Sequence, residues 1–417
     1  MTTASATETV LREPPPLHRQ KAAQALLAAA IVGLLLAVFV KASFGLGVLA
    51  LAVLIGMRKL QYRLNPLTER KLSRFRSIRR GYWSFVIVLG LTVWSLFAEF
   101  FVNDRALLVR YDGEFRLPLF GEVELGNDYA LGGVKENIPV NYRELKEQFA
   151  GEAGNWVIMP IIPYSPNENI PYEGVLKPRP PSMASQNYLG TDSTGRDILA
   201  RLIYSFRIAI FFSLAFMALT FLIGITIGCI MGYFGGAVDL TVQRLIEIWS
   251  NVPFLYMVII VFSVIPSTFS ISTRIFILLL IMVLFSWTSI TYYMRTATFK
   301  EKARDYSSAA LVLGAGTGRM IFKHILPNTI STIVTFIPFV LVQAITAITA
   351  LDFLGYGLPP PTPSMGELLK QGRDTLNIAP WIVFSAFGAL VLLLTLVTFV
   401  GEAVREAFDP KKFTLYS

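Results

Sequence analysis

Residues 301–328 read EKARDYSSAALVLGAGTGRMIFKHILPN, and this stretch decides what the rest of the chain must be. It is polar and basic, and it lies between two long apolar runs. Within it Ala303, Tyr306, Ala310 and Leu313 recur at helical spacing, which predicts a narrow apolar stripe on a helix too short and too charged to cross a bilayer. The stripe is therefore expected to lie against another element. Gly314, Gly316 and Gly318 should end that helix, and a second amphipathic run over 320–326 should stop at Pro327, whose ring cannot continue it. A helix, a glycine elbow and a second helix on one membrane face make a docking surface.

The flanking composition supports that setting. The chain has 417 residues, 54% of them hydrophobic and 16% charged, and a mean hydropathy of +0.56, which is too apolar for a soluble chain of this size. It reads as an all-α integral membrane protein. The net charge of +9 does not call for nucleic acid as a partner, because the basic residues fall mainly in segments expected to face the cytoplasm. Cys229 is the single cysteine and lies in an apolar run, so neither a disulfide nor a thiolate metal site is available; it reads as a packed, inert thiol.

In chain order, 1–21 reads as a disordered cytoplasmic leader with Pro14, Pro15 and Pro16 in a row and no evident signal-peptidase site. Residues 22–57 are apolar for far longer than one span needs, so a membrane hairpin turning near 41–45 is expected over a single helix. Residues 58–81 form a basic cytoplasmic loop, since Arg58, Lys59, Arg63, Arg70, Lys71, Arg74, Arg76, Arg79 and Arg80 face one acid, Glu69. A first core helix over 82–102 then runs outward. The periplasmic segment 103–200 holds LLVRYDGEFRLPL at 107–119, where Asp112-Gly113 between alternating runs predicts a hairpin. Prolines between 160 and 181 suggest an extended strap. In LGTDSTGRD at 189–197, Thr191, Asp192, Ser193 and Asp197 offer helix caps with Arg196 and Arg201 as pairing partners, and a capped helix start is preferred to a ligand site.

Five further spans are expected at 208–234, 245–265, 274–294, 329–351 and 381–400, with Pro253 and Pro338 kinking two of them. They place the 301–328 loop inside, 352–380 outside and the 401–417 tail in the cytoplasm. The five-helix core is 201–400.

Catalytic chemistry is hard to assemble from this sequence. No glycine-rich loop ends in Gly-Lys-Ser/Thr, and the glycines at 314–318 follow no buried strand, so an elbow is the better reading than a phosphate cradle. His18 and His324 have no third ligand and no Ser/His/Asp set forms around them; no metal and no cofactor are expected. Glu99, Arg207, Glu247, Arg274, Asp352 and Glu402 fall near span ends, leaving the span centres clear of charges that would cost about 2.5–3.5 kcal/mol each. That argues against a proton-coupled carrier. What remains is a path lined by Ser, Thr, Gly and aromatic residues and powered from elsewhere, or else a membrane scaffold or sensor whose soluble segment binds a partner.

Four ordered blocks narrow this choice. They are Ser308-Ala309-Ala310 with Gly314 and then His324-Ile-Leu-Pro327; LGTDSTGRD; GYFGGAVDL at 232–240 followed by Arg244, Glu247 and Pro253; and LDFLGYGLP at 351–359. With them the chain resembles the inner-membrane permease subunit of a peptide-importing ABC transporter of the dipeptide and oligopeptide type, from about Arg76 to Lys411. RRGYWS at 79–84, LLVRYDG at 107–113 and GEAVREAFDP at 401–410 are similar to the microcin C and peptide importer subgroup.

The resemblance implies a type I ABC importer permease bundle of six core transmembrane helices. It also implies a non-catalytic role: ATP is hydrolysed by two cytoplasmic ATPase domains, a second permease completes a heterodimer, a periplasmic peptide-binding protein delivers substrate, and membrane lipid surrounds the bundle. The chain would be multi-pass in the bacterial inner membrane with both termini cytoplasmic. Asp305, Tyr306, Ser308, Ala309, Ala310, Gly314, His324 and Pro327 would form the ATPase-coupling loop, with Ser308 standing where the family pattern usually has Glu. Gly190, Thr191, Asp192, Gly195, Arg196 and Asp197 would form a periplasmic motif. Glu367, Lys370, Arg373 and Asp374 in the 352–380 loop would either contact the binding protein or belong to a lid packed on neighbouring helices.

Overall fold

The computed structural model describes residues 66–408 apart from 132–134, 152–153, 171–173, 175–176 and 267. The expected leader at 1–21, the hairpin at 22–57 and the last residues of the tail lie outside the described residues. The chain enters through α1 (Pro66–Ser77) and α2 (Arg79–Ser95), followed by the short α3 (Ala98–Phe101). The insertion that comes next contains β1 (Leu108–Tyr111), β2 (Glu114–Arg116), α4 (Tyr142–Phe149) and β3 (Trp156–Ile158). Then come α5 (Ile198–Phe234), α6 (Gly236–Ser250), α7 (Phe254–Val264), α8 (Ile271–Lys302), α9 (Asp305–Val312), α10 (Leu326–Leu354), α11 (Met365–Asp374) and α12 (Pro380–Phe408).

Among the described residues four helices are long and apolar enough to cross a membrane: α5, α8, α12 and the 22-residue stretch Ile333–Leu354 of α10. The pair α6 and α7, bent by 71°, makes a fifth broken span, and the 17-residue α2 packs alongside α12 as the first. At about 1.5 Å per residue the 37 residues of α5 reach roughly 55 Å, well beyond a hydrocarbon core of about 30 Å. Its first turns therefore stand outside the bilayer and carry the insertion.

The centre of the bundle is the crossing of α5 and α8. Gly224, Gly228 and Gly232 recur every fourth residue, so they share one face of α5. A Cβ on Gly228 would sit 2.6 Å from the Met294 Cβ, and one on Gly232 would sit 2.6 Å from the Thr298 Cβ. Only hydrogen at these positions lets the two backbones come this close, which is how membrane helices gain dispersion contact without a hydrophobic drive between them. Phe216, Leu278, Met282, Ala344 and Ile348 fill the space between this pair and α10.

The insertion folds around a small antiparallel sheet of order β2-β1-β3. The expected hairpin forms, with Asp112 and Gly113 both at positive φ (49° and 84°) between Tyr111 and Glu114, which pair across the turn. The sheet's third strand, β3, comes from Trp156–Ile158, which carries no turn signal of its own. Beneath the sheet Tyr111, Tyr129, Tyr142, Leu145 and Phe149 pack together, and Glu124 accepts hydrogen bonds from the hydroxyls of Tyr129 and Tyr142. Burial, with Glu124 alongside, pushes both phenols above their ordinary pKa, so they stay protonated donors.

Several helix limits differ from expectation for physical reasons. The expected helix over 82–102 ends at Ser95, and Val102 instead bridges to Ile162 as the chain leaves the bundle. The expected span over 245–265 is bent, because Pro253 caps α7 from outside the helix rather than kinking it from within. The span expected to begin at 208 starts at Ile198, where Asp197 caps it, and α12 continues to Phe408 because its last turns are covered by α1 through Phe75, Ala403 and Ala407. Pro338 sits inside α10 without ending it.

The α5–α8 crossing gives a direct test. Replacing Gly228 by Val should destabilise the detergent-solubilised protein by about 1–3 kcal/mol through overpacking. Gly90→Ala, where an added Cβ meets nothing within 4 Å, should leave the melting temperature unchanged.

Candidate functional site

The candidate residues gather at opposite ends of the bundle. At one end α8 terminates at Lys302, two residues intervene, and α9 begins with Asp305. The joint is made by Glu301, a buried carboxylate that accepts the Tyr306 hydroxyl at 2.8 Å and pairs with Arg304 at 3.0 Å. The Ser307 hydroxyl closes it by donating to the Glu301 carbonyl at 2.8 Å. Burial and the Glu301 hydrogen bond raise the Tyr306 pKa, so its hydroxyl remains a donor. A chain reversal that would otherwise be loose is thus fastened to the end of α8.

Past α9, Gly314 takes φ +82°, a conformation that costs a residue with a Cβ roughly 1–2 kcal/mol. The turn Thr317–Arg319 follows, and Met320–Ile325 forms a π-helical segment that runs straight into α10. Pro327 does not stop this run. It occupies the first turn of α10, directly after the π-helical segment, and the Asn328 side chain donates to the His324 carbonyl at 2.6 Å.

The expected apolar stripe is also arranged differently. Ala310 is buried and Tyr306 and His324 are half-buried, but Ala303 and Leu313 are exposed, because α9 begins afresh at Asp305 and does not continue the phase of α8. Asp305, Ser308, Ala309, Gly314 and Pro327 are exposed. Beside them Val312 (88% exposed), Leu313 (87%) and Phe322 (70%) stand in the open. Leu313 belongs to the predicted stripe but stands uncovered, and Val312 and Phe322 join it at the tip without being part of the stripe. The foot thus presents a small-residue face edged by exposed hydrophobics.

At the other end LGTDSTGRD forms a clamp. The buried Asp192 carboxylate accepts from the backbone and hydroxyl of Thr194 at 2.9 and 2.8 Å and from the Arg196 Nε at 2.8 Å. Arg196 reaches on to Glu367 of α11 at 2.8 Å. Arg201, fully buried in the first turn of α5, pairs with Glu367, lies 3.6 Å from Asp192 and donates to the Pro166 carbonyl at 2.9 Å. Burial works against the Arg196 charge, but Asp192 and Glu367 outweigh it and hold its pKa above the usual guanidinium value.

Side chains from α11 and α12 complete the clamp. Ser193 donates to Gln371 at 2.8 Å, and the Trp381 indole donates to the Thr191 carbonyl at 3.2 Å with Gly190 packed on its ring. Gly195 turns against the Ile170 carbonyl, while Asp197 accepts from the Ala200 amide at 2.7 Å and from Asn187 at 2.9 Å. The motif therefore fastens the exit of the insertion to α11 and α12.

Of the residues placed in the 352–380 loop, Glu367 is taken up by this clamp and Lys370 is half-buried. Arg373 and Asp374 are exposed and pair with each other at 2.7 Å, with Arg373 also 5.0 Å from the centre of the Phe353 ring. Among the described residues no cluster of three or more His, Cys, Asp or Glu could hold a metal ion.

A bundle of membrane helices with an anchored polar foot at one end and a folded insertion clamped at the other is the architecture of a membrane transport permease. Residues 224–414 match the family described as the binding-protein-dependent transport system inner membrane component. The chain is 39% identical over 378 residues to the peptidoglycan transport system permease protein YejE of Agrobacterium fabrum, covering 84% of this chain and 94% of that protein. It is 41% identical over 360 residues to the inner membrane ABC transporter permease protein YejE of Escherichia coli K12, covering 84% and 99%. To the dipeptide transport system permease protein DppC of Haemophilus influenzae it is 34% identical over 254 residues, covering 60% and 83%. The chain belongs to this family of inner-membrane ABC importer permeases. It is a multi-pass transport permease subunit, and the scaffold or sensor reading finds no support.

The clamp predicts an asymmetry between its partners. Glu367→Ala takes from buried Arg201 the nearer of its two carboxylates, leaving only Asp192 at 3.6 Å, and should cost about 2–3 kcal/mol, seen as a clear drop in melting temperature. Asp374→Ala, at the exposed end of the same helix, should change it by less than about 0.5 kcal/mol.

Proposed function

We propose that this permease carries peptides or peptide-like compounds, among them fragments of peptidoglycan, across the inner membrane. It does so beside a second, different permease, powered by two cytoplasmic ATPase domains and supplied by a periplasmic binding protein. The names of the relatives motivate the substrate class. In this reading the foot, α1 and both termini face the cytoplasm and the insertion faces the periplasm, in line with the basic residues Lys300, Lys302, Arg304, Arg319 and Lys323 around the foot.

The observation that carries the proposal is the open face of α9. Ser308 and Ala309 offer a surface without bulky side chains, the apolar Val312 and Leu313 wait beside it uncovered, and the whole helix is tied to α8 through Glu301. A partner ATPase seated there removes the exposed apolar area from water and gains a rigid handle. A push on α9 passes to α8 through the Glu301 joint and to α10 through the unbroken π segment, so two helices of the bundle core receive it together. The chemistry of ATP hydrolysis stays in the partner, and this chain converts its closure into movement of the path.

Two substitutions test the foot. Ala309→Trp, on the exposed face, should leave the melting temperature of the chain within about 1 °C while abolishing co-purification of the ATPase and substrate uptake. Gly314→Val should strain the elbow by roughly 1–2 kcal/mol and abolish uptake with assembly of the membrane part retained. Uptake at the wild-type rate in both variants overturns the coupling role.

A further inference from the structure

The coupling reading leaves unused the basic surface at the foot end of the bundle, on the opposite side of the sequence. In α1 and the first turn of α2 stand Arg70, Lys71, Arg74, Arg76, Arg79 and Arg80. Two of these are matched by acids on the last turns of α12: Arg74 lies 3.9 Å from Glu406 and Arg80 3.2 Å from Glu402. Lys71 lies 4.9 Å over the Phe408 ring. Arg70, Arg76 and Arg79 are exposed and make no ion pair among the described residues; Glu69 is the acid of the α1 first turn. The docking of α1 on α12 through Phe75, Ala403 and Ala407 therefore consumes part of the charge and leaves a surplus pointing outward.

Between α1 and the end of α12 runs an open groove of about 540 Å³ lined by Arg70, Ser73, Arg74, Ser77, Ile78 and Glu406. The Arg70 guanidinium and the Ser73 hydroxyl are donors that a phosphate diester accepts, Arg74 adds positive charge although it lies 3.9 Å from Glu406, the Ser77 hydroxyl already donates to the Arg74 carbonyl, and Ile78 supplies an apolar wall beside them. The depth of this groove relative to the membrane is set by α2. A single residue, Ile78, separates α1 from α2, and Trp83 in the next turn is 59% exposed with Phe85, Val86 and Ile87 exposed beyond it. An exposed tryptophan at the end of a membrane helix sits at the level of the headgroups, so the arginines just before it lie where lipid phosphates are.

We propose that α1 and the first turn of α2 form a binding surface for anionic phospholipid headgroups, with the groove at Arg70, Ser73 and Arg74 taking the phosphate and Arg76 and Arg79 adding attraction to the surrounding leaflet. The lipid closes the open side of the contact between α1 and α12. It thereby holds the entry helix against the last membrane helix of the bundle.

The test uses the assembled transporter in mild detergent, with bound lipid counted by native mass spectrometry during titration with phosphatidylglycerol or phosphatidylcholine. Phosphatidylglycerol should be retained in preference, and raising salt should weaken it. Arg70→Gln with Arg76→Gln should lower its affinity about 25-fold, taking roughly fivefold per basic residue at a membrane surface. Both residues are exposed and make no ion pair among the described residues, so the variant should keep the wild-type melting temperature. Equal retention of the two lipids by the wild-type complex overturns the proposal, and this arm stands even if the double variant fails to assemble. Displacement of phosphatidylglycerol by millimolar inorganic phosphate makes the groove a free-anion site and also overturns it. So does loss of the ATPase from the double variant with lipid retention unchanged, since the surface would then be a protein contact.

Discussion

The close approach of α5 and α8 is the constraint on which the rest of the molecule depends. In a bilayer, burying apolar side chains between helices gains little over leaving them in lipid, so helices hold together by shape. Here three glycines in a row of fours remove the side chains that would keep the two backbones apart. The same two helices carry the chemistry at both ends. Arg201 lies in the first turn of α5, and Glu301 lies in the last turn of α8. The crossing thus joins the clamp to the foot through one stiff pair, and the intervening bundle packs on it.

Charge is arranged around that pair by a consistent rule. Three of the described ionisable groups near the span ends are matched: Glu99 with Arg207 at 2.9 Å, Asp239 with Arg295, and Asp352 with the Leu358 amide at 2.6 Å. At the clamp, where Asp192 and Arg201 are completely buried, two carboxylates face two guanidinium groups. Such a network adds less net stability than its contacts suggest, because both signs were taken out of water. Its effect is on geometry: the fixed fork of each arginine selects one relative position of the insertion, α5 and α11.

How much of this was legible in the sequence follows from the range of each signal. The hairpin at Asp112-Gly113 and the cap at Asp197 were readable because each depends on a few neighbouring residues with special backbone or side-chain demands. The polar run between apolar spans marked the foot. Its internal phase was not readable, since the stripe from Ala303 to Leu313 assumed one helix where the Glu301 joint makes two. Pro327 was misplaced for a related reason: a proline that ends one helix and one that begins the next look the same until the direction of the chain is known. Glu367 sits 166 residues from Arg201 in sequence, and no local pattern announces such a pairing. Gly224, Gly228 and Gly232 carry a readable period of four, but the period alone does not say which helix they face.

The clamp has one more consequence. Glu367 lies on α11, the short helix linking α10 to α12, and it is gripped by arginines belonging to α5 and its approach. The ends of these three membrane helices on the clamp side are consequently stapled into a single lever arm. Splaying them apart would leave two buried guanidinium groups sharing the single Asp192 carboxylate, which favours the arm pivoting as one body with the give in parts the staple does not reach, such as the 71° elbow between α6 and α7.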